Sequence, residues 1–210
     1  MRVLDRRVSF DERSRGYDIR TLLTTDQPRS YTWSCAPAFD QRNEGACVGH
    51  GWAHEAAARP VVLPATQADA FALYREAQRL DIWEGEDYDG TSVLAGAKAM
   101  QARGWLNTYR WAFNRDDALT AISRHGPAVI GVWWWTGMME PDSQGRIYPT
   151  GQREGGHCVL VRGVNVKART VRIRQSWGNI GPLGPDVLLD WDDFGTVLAD
   201  EGECAIPVRR

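Results

Sequence analysis

The spacing of apolar residues changes character at Gly126-Pro127, and this switch limits the chain to few architectures. Before it, apolar residues recur at helical intervals. After it, they run continuously or alternate, as in strands. The helix signals begin near Gly45-Ala46-Cys47 and run through Ala58, ending before Pro60. That segment carries Gly49, Gly51, Ala53, Ala56, Ala57 and Ala58, a composition suited to a buried helix that neighbours approach closely. Gln67 to Leu80 places Ala70, Leu73, Tyr74, Ala77 and Leu80 near one face. Thr91 or Ser92 caps a helix bearing Val93, Ala97 and Met100, which stops at Gly104. A shorter helix is predicted from Arg115 to His125. Strands are predicted over Ala128–Trp135, His157–Val166, Thr170–Trp177 and Glu203–Val208. Helices first and strands second imply two segregated halves, an α+β arrangement. We therefore expect one domain over residues 1–210, with an irregular arm (1–39), a helical part (40–125) and a β-rich part (126–210).

At 210 residues the chain is long enough for one sizeable core or two half-domains around a cleft. A formal net charge of -2 with no long run of one sign gives no electrostatic footprint for nucleic acid or an anionic membrane. Ten tryptophans are many for this length, and core and cleft packing accounts for them more simply than a base-stacking platform. The longest apolar run, Pro127 to Trp135, is interrupted only by Gly131 and falls short of the roughly 18 residues of a membrane helix. Residues Met1 to Phe10 are rich in Arg and Asp and lack the apolar core of a signal peptide, so a cytoplasmic location is expected. Cys35, Cys47, Cys158 and Cys204 are widely spread and form no CxxC pair. They suggest reduced thiols, at least one of them reactive, more than a zinc site; a single Cys35–Cys204 bridge stays open.

The segment Asp40-Gln41-Arg42-Asn43-Glu44-Gly45-Ala46-Cys47 is the most informative. A cysteine opening a helix meets unpaired N–H groups and the positive end of the macrodipole, which favour the reactive thiolate. From the preceding loop the Gln41 amide can reach back toward the sulfur and, with the Cys47 N–H, form an oxyanion hole. Taken alone, this spacing also fits a structural cysteine. In Gly155-Gly156-His157-Cys158, a histidine at the mouth of an apolar strand follows two glycines that admit close approach. Read alone, it is equally a cleft histidine or a satisfied edge residue. In Arg174-Gln175-Ser176-Trp177-Gly178, an amide can accept the imidazole N–H while Trp177 shields that bond.

In this order the motifs resemble the papain-like cysteine peptidases, which carry a Gln, a six-residue step to a helix-opening Cys, a later strand His, then Asn-Ser-Trp-Gly. Here they stand as Gln41, Cys47, His157 and Gln175-Ser176-Trp177-Gly178. The resemblance runs on through Asp89-Gly90-Thr91 to Gly104-Trp105, Asp117-Ala118-Leu119 to Ala128-Val129, Gly184 to Phe194, and Glu203-Cys204-Ala205-Ile206, roughly Cys35 to Val208 in all. It is closest to stand-alone bacterial and phage-type members without a long pro-segment. It implies a papain-like fold with a cleft between the halves, and a thiolate–imidazolium pair of Cys47 and His157. It further implies Gln41 in the oxyanion hole, Gln175 orienting His157, and Gly90, Gly156 and Trp177 at the substrate. A peptide or protein is the implied substrate, a protein inhibitor a further partner, and no metal or other cofactor is required. Since only 34 residues precede Cys35, the chain is expected to be active as made.

Gln replaces the family's Asn at position 175, on a stem one methylene longer, and imperfect orientation of His157 is expected; Asn165 and Asn179 are the alternatives for that role. His50 and His54 share a helical stripe with Cys47, which leaves an alternative base or a three-residue metal site to weigh against plain packing. His125 reads as a helix-end cation, and Glu84 to Asp89 as a solvated acidic loop without calcium-loop spacing. Two rival functions stay open: a catalytically idle papain-like module binding a peptide or protein partner, and an acyl-transfer relative such as an amidase or a transglutaminase-like protein.

Overall fold

A computed structural model describes residues 2–23 and 27–208. Helix α1 (Cys47–Ala56) is buried along its whole length. Its glycines explain how. A Cβ on Gly49 would lie 2.2 Å from the carbonyl oxygen of Ala70, so α2 (Gln67–Leu80) presses backbone to backbone against it. A Cβ on Gly51 would meet the sulfur of Cys158 at 3.0 Å. Thr66 and Asp69 close a reciprocal capping box at the start of α2, and Ser92 caps α3 (Val93–Ala102) through the Ala95 N–H. Trp52 lies fully buried against Gly96 and donates to the carbonyl of Val93 at 3.2 Å, which locks α3 onto α1.

The strands form one antiparallel sheet. They are β1 (Tyr31–Thr32), β2 (Thr108–Trp111), β3 (Ala128–Trp135), β4 (Arg153–Asn165), β5 (Thr170–Arg174), β6 (Asp186–Asp190) and β7 (Glu203–Val208). Their order is β2-β7-β3-β4-β5-β6, with β1 pairing β4 off that path. Two cores result. One joins α1, α2 and α3 to one side of the sheet through Val129, Cys158, Leu160 and Ala205. The other joins α4 (Arg115–Arg124) and α5 (Trp191–Ala199) to Ile130, Val132, Trp134, Val159, Val161 and Ile173. Consecutive residues of β3 and β4 thus feed opposite cores, as the two-residue pleat requires. The central Trp134 of the Trp133-Trp134-Trp135 run is core, while its neighbours are half-buried beneath Arg153.

The predicted and observed bounds differ where glycine or a turn intervenes. β4 begins at Arg153 rather than His157, because Gly155 and Gly156 belong to the strand. β5 ends at Arg174 rather than Trp177, because Gln175 bonds the carbonyl of Pro185 and the chain turns to bridge Asp40 with Trp177. The arm is less irregular than expected. Asp11 and Asp18 cap two short 3-10 helices, Glu12–Tyr17 and Ile19–Thr21, through local Asx bonds that carry no apolar periodicity.

A buried ionic knot ties the sheet edge to the end of the N-terminal arm. Asp186 is paired with Arg162, Arg172 and Arg174. Arg174 also donates to the carbonyl of Pro37. Burial raises the Asp186 pKa, but the hydrogen bonds from Arg162 and Arg174 outweigh it and hold the carboxyl below its usual range.

Candidate active site

Cys47 opens α1 and is fully buried. Backbone N–H groups of Cys158, Asp5 and Val48 act on its sulfur. The Cys158 contact brings the sulfur to β4 immediately beside His157. His157 is also fully buried, opposite Val132 in the β3–β4 ladder. Its Nε2 lies 2.9 Å from Gln175 Oε1, so the Nε2–H donates to the amide oxygen. Nδ1 has no hydrogen-bond partner among the described residues. This fixes the tautomer: in the neutral ring Nδ1 keeps its lone pair and can accept a proton. Trp177 stacks on the imidazole with centroids 4.2 Å apart and planes 10° apart, and Trp134 meets it edge-on at 4.9 Å. The longer Gln stem thus reaches His157 at ordinary hydrogen-bond distance. Neither Asn165 nor Asn179 takes that position; Asn165 instead accepts from the Ala168 N–H.

Gln41 is positioned from both sides. Its N–H donates to the carbonyl of Ser176 at 2.8 Å, and its Oε1 accepts from the Ser176 hydroxyl at 2.7 Å. Its Nε2 donates to the carbonyl of Glu44 at 2.8 Å and to that of Val3 at 3.3 Å. The same stretch, Gln175-Ser176-Trp177, therefore orients both the histidine and the candidate oxyanion donor.

Val3 belongs to a feature that composition did not signal. Residues 3–7 run through the cleft over Cys47. The Arg6 N–H donates to the carbonyl of Gly156 at 2.8 Å, and the Arg7 N–H to that of Thr91 at 2.9 Å. Gly90 and Gly156 are where this strap lies closest: a Cβ there would fall 1.6 Å from Asp5 O and 2.1 Å from Arg6 O. Arg2 stacks over Trp177 at 5.2 Å. A chain expected to be active as made is here covered at its candidate site by residues 3–7. A short extended strap has no periodicity, and its anchors are glycines and carbonyls distant in sequence.

Burial also reverses the expected charge state. Dehydration pushes the Cys47 thiol up to about 11, overriding the N–H groups of Cys158, Asp5 and Val48 that favour the thiolate. Dehydration brings His157 down to about 3 against the opposing hydrogen bond to Gln175. Beneath the strap the pair is therefore thiol and neutral imidazole, not the ion pair that the helix start alone implies.

The other candidates have structural partners. His50 Nδ1 bonds the Ala46 carbonyl and its Nε2 the Gln67 amide, both at 2.9 Å; His54 Nε2 accepts from the Phe39 N–H at 3.0 Å. Burial lowers the pKa of both. All four cysteines are free and buried, and among the described residues no cluster of His, Cys, Asp and Glu is arranged to hold a metal. Among them, too, no helix is long and apolar enough to cross a membrane.

No protein-family profile and no curated protein sequence matches the chain. Solved structures do. Xylellain, a cysteine protease from Xylella fastidiosa, superposes with a TM-score of 0.65 at 16% identity, covering 98% of this chain and 92% of its own. The bromelain protease from Ananas comosus, in complex with the E64 inhibitor, gives 0.62 at 14% identity over 87% of this chain and 100% of its own. A recombinant stem bromelain precursor gives 0.60 at 13% identity over 98% of this chain and 76% of its own. With an α-helical half, an antiparallel sheet and a cleft between them, the chain has the papain-like cysteine-protease fold.

Proposed function

We propose that the protein is a cysteine peptidase held latent by its own N-terminal strap. The observation that carries this reading is the state of His157: Nε2 is committed to Gln175, Nδ1 is unpartnered, and the ring sits beside the residue whose N–H meets the Cys47 sulfur. Once the strap leaves and water returns, the dehydration that neutralises both groups is relieved. The Cys47 proton then passes to Nδ1. The thiolate attacks the carbonyl carbon of a peptide, and the resulting oxyanion is held by the Gln41 Nε2–H and the Cys47 N–H. Losing one such donor costs about 10²–10³ in kcat. His157 returns the proton to the leaving amine as the C–N bond breaks, leaving a thioester on Cys47. A water gives its proton to Nδ1 and attacks the thioester, which releases the acid and restores the thiol.

The contact between Gln41 Nε2 and the Val3 carbonyl supports the same reading, since a peptide carbonyl already lies on that donor. The rival, an idle peptide-binding module, draws on the deep burial of Cys47 and the Gln in the family's Asn position. Hydrolysis of a denatured protein, assayed with wild type and Cys47→Ala, separates the two. Cleavage by wild type alone supports the peptidase. Cleavage by neither, after strap release, leaves the idle module.

A further inference from the structure

Cys47 has a second thiol close beside it. β4 is pleated, so His157 and Cys158 leave the strand on opposite sides. His157 faces Trp134 and Trp177, while Cys158 enters the core that α1, α2 and α3 share with the sheet. There its sulfur rests on α1. A Cβ on Gly51 would lie 3.0 Å from Cys158 Sγ and 3.8 Å from the Cys158 carbonyl carbon. Gly51 stands four residues after Cys47 on the same helix face, where successive Cβ positions are about 5–6 Å apart. The Cys158 N–H acts on the Cys47 sulfur itself. One residue of β4 thus touches Cys47 through its backbone and lays its own sulfur one turn further along the same helix face.

Neither of the other cysteines has this placement. Cys35 donates to the carbonyl of His54 at 3.4 Å, near the far end of α1. Cys204 lies in the opposite core, in register with Ile130. Cys47 and Cys158 are both free and wholly buried. The hydrolytic steps proposed above call on the Cys158 N–H at most, and leave its thiol without a role.

We infer that Cys158 is the resolving thiol of Cys47, so that a peroxide converts the pair into a reversible disulfide instead of destroying the nucleophile. The inference rests on the reading of Cys47 as a nucleophile that the strap uncovers. In the first step the Cys47 thiolate, its proton held on His157, attacks the peroxide. The S–O bond forms as the O–O bond breaks, and the departing hydroxide takes the proton from His157 and leaves as water. In the second step the Cys158 sulfur attacks the sulfenic sulfur. The S–S bond forms as the S–O bond breaks, and the hydroxyl leaves with the Cys158 proton as a second water. Two thiols are oxidised and one peroxide is reduced. Burial, and then the neighbouring Cys47, hold the Cys158 thiol well above its ordinary range. An uncovered Cys47 is therefore the first target of the oxidant, and Cys158 acts second.

The test uses the full chain carrying Arg6→Ala, which removes the strap's buried 2.7 Å ion pair with Glu203. It is treated with hydrogen peroxide, blocked with N-ethylmaleimide and digested without reductant for mass spectrometry. The expected product is lighter by two hydrogen atoms, with the peptides of Cys47 and Cys158 joined until dithiothreitol separates them. Adding Cys158→Ala is expected to abolish the link and leave Cys47 as sulfinic and sulfonic acid, which dithiothreitol does not reverse. Over-oxidation of Cys47 with Cys158 still a thiol overturns the inference, as does a link from Cys47 to Cys35 or Cys204. Refolding wild type from urea in mixed reduced and oxidised glutathione needs no variant and lets the thiols meet before the strap closes. The same link is expected there, and Cys47 recovered free or joined only to glutathione overturns the inference. Cys47 untouched by peroxide in Arg6→Ala, beside a link formed on refolding, supports the pair and refutes the strap alone. A chain that cleaves peptides and forms no link refutes the pair alone.

Discussion

His157 and Gln175 face one another across 2.9 Å, and that one bond decides which imidazole nitrogen is free. With Nε2–H donating to the amide oxygen, Nδ1 is the atom that the proposed mechanism uses to exchange a proton with Cys47. Gln175→Ala removes the restraint while Trp177 still stacks on the ring. We expect kcat to fall about tenfold or more with KM little changed, a part of the 10²–10⁴ that a positioned base contributes. Gln175→Asn, too short by one methylene, is expected to fall between the two. Unchanged turnover in Gln175→Ala contradicts the role.

The strap makes its own prediction. Arg6→Ala leaves Glu203 buried without its cation, a loss of about 3–5 kcal/mol if the strap stays in place. The open state gains accordingly, and peptide turnover is expected to rise at least tenfold over wild type. A synthetic peptide of residues 2–8 is expected to inhibit the variant. Equal turnover in both proteins, with no inhibition by the peptide, shows that residues 3–7 are not a restraint.

Asp186 sits beneath three arginines, and Arg174 precedes Gln175 directly. Asp186→Ala strands buried guanidinium groups and is expected to cost about 3–5 kcal/mol in denaturant unfolding. A loss under about 1 kcal/mol contradicts the knot.

Acid tests the buried histidines. His50, His54 and His157 all have pKa values held below the ordinary imidazole value, chiefly by dehydration. In the folded chain they stay neutral, while the unfolded chain protonates below about pH 6.5. Their contribution to stability is therefore full above that pH and is lost as pH falls, with a slope of up to about 4 kcal/mol per pH unit for three protons. Urea midpoints at pH 7.5, 6.0 and 5.0 are expected to decline together with this loss. A flat profile contradicts neutral buried imidazoles.

Much of this was legible in the sequence, for physical reasons. Gln67–Leu80 declares itself by its apolar stripe and capping box, and Ala128–Trp135 by a continuous apolar run; both have the predicted bounds. Gln41, Cys47, His157 and Gln175 could be named as candidates because their order and residue types match the papain-like pattern. β6 and α5 lacked a clear signal, since Asp186 and Asp190 end a very short run and Gly195 and two aspartates interrupt the helix pattern. The strap was invisible for another reason. Its structure depends on carbonyls of Gly156 and Thr91 that no local pattern connects to residues 3–7. The charge state of Cys47 followed from the same omission, because burial beneath the strap outweighs the N–H groups that favour the thiolate at a helix start.

The most direct test of the Cys47–His157 pair is alkylation by an epoxide or chloromethyl-ketone thiol probe from pH 4 to 9, with labelled sites found by mass spectrometry. Arg6→Ala serves as the open chain, beside the same chain carrying His157→Ala. We predict fast labelling confined to Cys47, persisting well below pH 7 and collapsing without His157. Slow labelling with an ordinary thiol profile near about pH 8.5, indifferent to His157, contradicts it.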